Sequence, residues 1–235
     1  MKKLILLFAV AFNLNSNEFL TGSLVDYSGL IKMPNARFNN EGKVSFNYSR
    51  YDPYGKYVFQ FSPYDWFEGA LFYTDINSLG YPDFERGPGG MQSQKDKGFS
   101  LKARLFKEGE CYGLDYAFCE YLPNVAVGLV DFAGTSLTAS EYVVASKSFG
   151  RFDLTAGLGW GALGSTDNIG GNPLSILTDK FDQRGSGYSL GLMGGVPGVS
   201  TWFRGTASVF GGVEYVIPKA KFYPVNSKIK LEYDS

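Results

Sequence analysis

The stretch Arg151-Phe152-Asp153-Leu154-Thr155-Ala156-Gly157-Leu158-Gly159-Trp160-Gly161-Ala162-Leu163 decides the fold. Phe152, Leu154, Ala156, Leu158, Trp160 and Ala162 alternate with Asp153, Thr155, Gly157, Gly159 and Gly161. A repeat of two puts the first set on one face of an extended strand and the second on the other, whereas a helix would need a repeat of about 3.6. Trp66 to Ile76 repeats the pattern, with Phe67, Leu71 and Tyr73 opposite Glu68, Ala70 and Thr74. So does the run from Phe99 to Leu105, where Lys102 and Arg104 fall between apolar positions. Shorter versions occur at Val44 to Tyr48, Val209 to Ile217 and Ile229 to Tyr233. No amphipathic helical pattern interrupts them, so the chain reads as all-β and antiparallel.

Strand length separates two environments. Strands of soluble domains average about 5–6 residues, and strands that cross a bilayer at a tilt need about 9–11. The segments at 66–76, 97–106 and 151–162 reach the longer class. Tyr48, Tyr51, Tyr54, Tyr57, Tyr64, Trp66 and Phe67 gather near strand ends, where Tyr and Trp form the headgroup girdles of membrane barrels. Tight links at Tyr51–Gly55, Pro63–Asp65 and Gly150 contrast with long polar loops near 77–97 and 163–200. The two long loops follow the third and seventh strands and therefore share one side. A link at 107–121 is longish for the short side. The expectation is an up-and-down outer-membrane β-barrel of nine to eleven strands over 18–235, surrounded by outer-membrane lipid.

The first 17 residues read as an export signal. Met1-Lys2-Lys3 supplies a positive start, and Leu4 to Phe12 is an apolar run too short to span a membrane as a helix. Ala9-Val10-Ala11 is an A-x-A pattern, and cleavage near Asn15 to Asn17 fits equally. No Cys follows the run, which speaks against a lipoprotein signal. A 17% aromatic share rules out disorder, and a net charge of −1 speaks against a nucleic-acid partner. The absence of His removes imidazole acid–base catalysis and His-ligated zinc. No cofactor or metal site is expected.

Two motifs carry no chemistry in this context. Gly187-Tyr188-Ser189-Leu190-Gly191 matches the hydrolase nucleophile elbow, which needs a His base. Gly159 to Gly164 matches a dinucleotide fingerprint, which needs a following helix. Gly157, Gly159 and Gly161 read instead as small inward-facing residues. No pair of carboxylates stands out for glycoside chemistry, so no enzyme is expected. Lys102, Arg104, Asp153, Arg204 and Glu214, with Lys147 as a weaker case, are candidate lumen charges. Two roles fit them: a charge lattice tuning passage of a polar solute, or ion pairs that fill a narrow lumen. Cys111 and Cys119, eight apart in one link, either close a disulfide loop or remain separate thiols.

Ser28-Gly29-Leu30-Ile31-Lys32-Met33-Pro34-Asn35-Ala36-Arg37-Phe38 resembles the opening signature of the YjbH family of exopolysaccharide and capsule biosynthesis proteins. Further matches follow in order at Trp66 to Ile76, Ala126 to Thr135, Ser140 to Lys147, Gly157 to Gly164, Trp202 to Gly205, Phe210 to Tyr215 and Lys230 to Asp234. The resemblance covers roughly 21–234. It implies an outer-membrane β-barrel that takes part in polysaccharide export or surface assembly, with extracellular polysaccharide and other export-machinery proteins as partners and no catalytic residues. Family members run several times longer, so the chain is expected to be the N-terminal part of a longer protein. A general porin, or a structural outer-membrane protein without a glycan role, is the first alternative. A secreted, soluble carbohydrate-binding β-domain is the second.

Overall fold

The computed structural model describes residues 22–24, 28–80, 92–113, 119–185, 199–218 and 227–234; the leader expected at 1–17 lies outside them. Among the described residues the alternating segments form nine strands: β1 (Lys43–Tyr51), β2 (Tyr54–Tyr64), β3 (Phe67–Gly80), β4 (Ser93–Phe106), β5 (Asn124–Val130), β6 (Ser140–Phe149), β7 (Phe152–Gly161), β8 (Ala207–Ile217) and β9 (Ser227–Tyr233). They make one antiparallel sheet in chain order, an up-and-down meander. The connections 81–92, 131–139 and 162–206 follow β3, β5 and β7 and share one side, while two-residue turns at 65–66 and 150–151 lie on the other. Gly150 makes the β6–β7 turn at φ 61, a left-handed conformation that suits glycine.

Directly opposed residues of an antiparallel ladder share a face. The register therefore links Glu68 with Lys102, Lys102 with Gly128, Gly128 with Tyr142, and Tyr142 with Gly159 across one face. Asp153 faces Glu214, and Glu214 faces Lys230, on that same face. This polar face is the buried one: Glu68 and Lys102 are 0% exposed and Asp153 2%. The apolar face is the open one, with Phe46 68%, Phe99 48% and Leu154 47% exposed. The arrangement is inverted relative to a water-soluble sheet, which turns its apolar face to the core.

The polar face is covered by the segment before β1. Ser49 on β1 donates to the Leu24 carbonyl (2.7 Å), Glu68 on β3 accepts from the Asn39 N–H (2.6 Å), and Ser146 on β6 accepts from the Ala36 N–H (2.9 Å). On β9, Glu232 accepts from the N–H groups of Ile31, Lys32 and Met33. One short segment reaches both edge strands and the middle of the sheet, so the sheet curls around it as a half-barrel. We call the segment from Gly22 to Asn40 the strap. Its Leu30, Met33, Ala36 and Phe38 pack with Ala126, Val130, Tyr142, Val144 and Phe210 in the main apolar cluster.

One feature departs from expectation. Both ends of the loop expected at 77–97 are strand, because β3 runs to Gly80 and β4 starts at Ser93. Its polar residues pair across the hairpin, where Asp75 accepts from Lys95 and Ser93. The 162–206 connection carries three short 3₁₀ turns at Ala162–Gly164, Pro173–Ile176 and Asp179–Phe181. Among the described residues, no helix is long and apolar enough to cross a membrane.

Gly128 tests the packing of the curled face. A Cβ at Gly128 would meet the Tyr142 ring at 2.2 Å, and Tyr142 is fully buried. Gly128→Ala is expected to destabilise the fold by about 1–3 kcal/mol through overpacking. An unshifted denaturation midpoint in detergent would contradict this packing.

Candidate functional site

The strap turns sharply at 29–33. Leu30 N–H donates to the Met33 carbonyl (2.9 Å), and Gly29 lies so close that a Cβ would meet Met33 O at 2.5 Å. The turn gathers three amides toward one point, and the Glu232 carboxylate sits there at 2.8–3.0 Å. Charge-assisted bonds of this kind are stronger than neutral ones. Lys230 from the same strand donates to the carbonyls of Gly29 (2.8 Å) and Leu30 (2.7 Å). Thus β9 grips the turn with an anion on its amides and a cation on its carbonyls.

Further along, Arg37 donates to Asp153 (Nε, 3.0 Å) and to Glu108 (2.6 Å). Lys102 pairs with Glu68 at 3.0 Å and donates to Ser28 (2.9 Å) and the Arg37 carbonyl (2.6 Å). The Phe38 ring lies between the Lys102 ammonium and the Arg104 guanidinium, 4.4 and 4.5 Å from its centroid. Glu214 pairs with Lys228 (2.8 Å) and Lys230 (3.5 Å). Buried ions need partners, and here strap and sheet supply them to each other. Among the described residues the hollow is filled by the strap.

Of the six charges expected inside, Lys102, Arg104, Asp153 and Glu214 face the hollow. Lys147 does not: it opposes Leu154, which points outward, and its ammonium reaches Glu108 (3.1 Å) and loop carbonyls of 120–122. The cause is that β5 begins at Asn124, so β6 runs past its neighbour at that end and the long lysine stem turns to the loop. Arg204 is not on a strand. Phe203 (φ 55) and Gly205 (φ 79) break the extended run before β8 begins, leaving Arg204 in the 162–206 connection near Asp179 and Asp182. Cys111 and Cys119 are joined as a disulfide, with Cα atoms 4.8 Å apart. Sequence reasoning passed over Lys230 and Glu232, although both sit on the polar side of an alternating run. Arg37 gave no periodic signal, because the strap is irregular.

A second feature lies at the rim on the long-connection side. A cleft of about 360 Å³ is lined by residues that include Asp131, Phe132, Glu141, Arg184 and Trp202. Arg184 clamps Glu141 with two bonds (2.7 and 2.8 Å), and the Phe203 N–H adds a third (3.0 Å). Burial first, and then the nearby charge of Asp96, pushes the Asp131 carboxyl up to about 7. Lys56 also faces this carboxyl and pulls the other way. Aromatic surface beside fixed polar groups is the chemistry that holds a sugar ring. Among the described residues no three His, Cys, Asp or Glu side chains are placed to hold a metal ion.

The family model for YjbH, described as an exopolysaccharide biosynthesis protein, matches residues 23–235. Among curated proteins, the chain is 42% identical over 206 residues to the "Uncharacterized lipoprotein YjbH" of Escherichia coli strain K12. That alignment covers 88% of this chain and 27% of the relative, so the chain spans about a quarter of the relative's length. No solved structure matches.

Two outcomes test the site. Lys102→Met leaves the Glu68 carboxylate buried without its main partner and is expected to cost about 3–5 kcal/mol, with most recovered when Glu68→Leu is added. A loss below about 1 kcal/mol, typical of surface pairs, would contradict the burial of this pair. The raised Asp131 carboxyl means that the folded turn favours the protonated form. Its stabilising contribution is full below roughly pH 4 and lost as pH rises through about 7. Amide protection over 131–139, corrected for intrinsic exchange, should therefore fall between pH 5 and pH 8 in the wild type and change little in Asp131→Asn. Equal pH dependence in both proteins would refute the assignment.

Proposed function

Because the chain belongs to the YjbH family of exopolysaccharide biosynthesis proteins, we propose that it is an outer-membrane β-scaffold taking part in the export or surface assembly of an extracellular polysaccharide. The carrying observation is the inverted polarity of the sheet: charges buried inside, large apolar side chains exposed outside. Each exposed Phe or Leu on that face forgoes about 1.5–3 kcal/mol of burial in water. A belt of them spread over successive strands is the kind of contiguous apolar surface that marks a membrane or partner face. Lipid removes that cost. The lengths of β1, β2, β6, β7 and β8, between 9 and 11 residues, suit a tilted crossing. Tyr48, Tyr64, Trp66, Phe149 and Phe152 near strand ends suit its interfaces.

The role is scaffolding and polymer contact, not covalent chemistry. Inward carboxylates such as Glu68, Asp153 and Glu214 are engaged by Lys or Arg and hold the strap or the sheet. The filled hollow favours this reading over a general porin, since passage through it would require breaking several buried ion pairs. The exposed apolar face favours it over a soluble carbohydrate-binding domain. The rim cleft beside Trp202 is the polymer contact, and other export-machinery proteins are the partners.

In cells lacking the gene, extracellular polysaccharide at the surface should fall and return on complementation. Trp202→Ala should restore it only partly while reaching the outer membrane in wild-type amounts. Wild-type surface polymer in the deleted strain would defeat the proposal, and a steady large conductance from the purified chain in planar bilayers would favour the porin.

A further inference from the structure

The two edges of the sheet do not meet in a ladder. β1 pairs only with β2, and β9 only with β8, among the described residues. In a meander the direction reverses at every strand, so β1 and β9, both odd, run the same way. Bacterial single-chain membrane barrels are antiparallel throughout and have an even number of strands. Closing nine strands on themselves would put one parallel seam into such a sheet. The strap bridges the seam instead. Ser49 holds the Leu24 carbonyl, the Leu24 N–H donates to the Ile31 carbonyl (2.7 Å), and the Ile31 N–H donates to Glu232 (2.8 Å). On the edge strands these links use side chains from the inner face.

Along its middle, the β1 edge also lacks the usual guards. Soluble proteins protect edges with bulges, prolines or inward charges. β1 pairs with β2 without a bulge over all nine residues and contains no Pro; its charges, Lys43 and Arg50, stand near its two ends, and the inward positions between them are Ser45, Asn47 and Ser49. Its outward positions include Val44, Phe46 and Tyr48, and those of β9 include Ile229, Leu231 and Tyr233.

We propose that the β1–β9 seam is an assembly edge that takes added strands from another stretch of polypeptide. Their number is odd, and the strands that meet β1 and β9 run antiparallel to them. This deepens the membrane reading, since only lipid forbids an open edge. The occupant has a stated chemistry: segments of about 9–11 residues, apolar on alternate outward positions and polar inward. Its source is sequence of the kind that the Escherichia coli relative carries outside the matched region, which takes up the larger part of that protein.

The test uses the full chain in detergent. Cysteine pairs are placed with one member at Phe46 or Tyr48 and the other at Ile229, Leu231 or Tyr233. A disulfide needs Cα atoms about 4.4–6.8 Å apart, whereas one intervening strand separates the edges by about 9.6 Å. No pair should oxidise. Amide exchange is then followed in β1 and β9 alone and after co-refolding with the part of E. coli YjbH outside the matched region. Protection at alternate β1 and β9 amides should rise at least tenfold, with β5 unchanged. A disulfide formed in high yield across the seam overturns the proposal even if the chain still inserts into membranes. Edge amides left unprotected by that added segment overturn it as well. Failure of the membrane reading is distinguishable, because it would show as a chain soluble without detergent.

Discussion

Lys102 and Glu68 meet at 3.0 Å with no exposure to solvent, beneath the strap they share with Ser28, Arg37 and Phe38. An ammonium and a carboxylate removed from water are costly to strand alone, and their mutual attraction offsets that cost only in good geometry with further hydrogen bonds. The strap supplies those bonds: Asn39 donates to Glu68, and the Arg37 carbonyl accepts from Lys102. The same logic repeats toward β9, where Glu232 and Lys230 bind the amides and carbonyls of the turn at 29–33. With its charges satisfied in this way, the sheet curls polar side inward. The opposite face is then left to carry the apolar side chains outward.

That inversion is what the proposed membrane setting rests on. A surface of Phe, Leu, Val and Tyr on one side of a long antiparallel sheet calls for lipid, and lipid in turn forbids unpaired edges. Apolar face, strap-lined hollow and open seam are thus linked: the interior charges fix the strap, the strap fixes the curl, and among the described residues side chains bridge β1 and β9 without a ladder.

The periodic parts of this structure were legible in the sequence. The alternation at 151–163 assigned Asp153 and Thr155 to one face and Leu154 and Ala156 to the other, and the register agrees. It also placed Gly157 on the inward face, where a Cβ would strike the Phe210 ring at 2.4 Å. The irregular parts were not. Ser28 to Phe38 has no period, because its side chains are placed by partners more than 60 residues away, such as Lys102, Asp153 and Glu232. The family resemblance marked that stretch as a signature without giving its role. Polarity alone misread the two ends of 77–97 as loop, since cross-strand pairing lets a hairpin carry Asp75 and Lys95 outside any core. Lys147 and Arg204 were misplaced because residue type does not reveal where a neighbouring strand starts or where a left-handed residue breaks an extended run.

The most direct measurement is electrophoretic mobility of the chain taken from isolated outer membranes, with and without boiling in denaturing detergent. A hydrogen-bonded sheet curled around its own charges and clothed in apolar side chains should survive cold detergent and migrate differently from the boiled, unfolded chain. The account predicts that shift, in the outer-membrane fraction. A chain found soluble in the periplasm, with one mobility under both treatments, would contradict it.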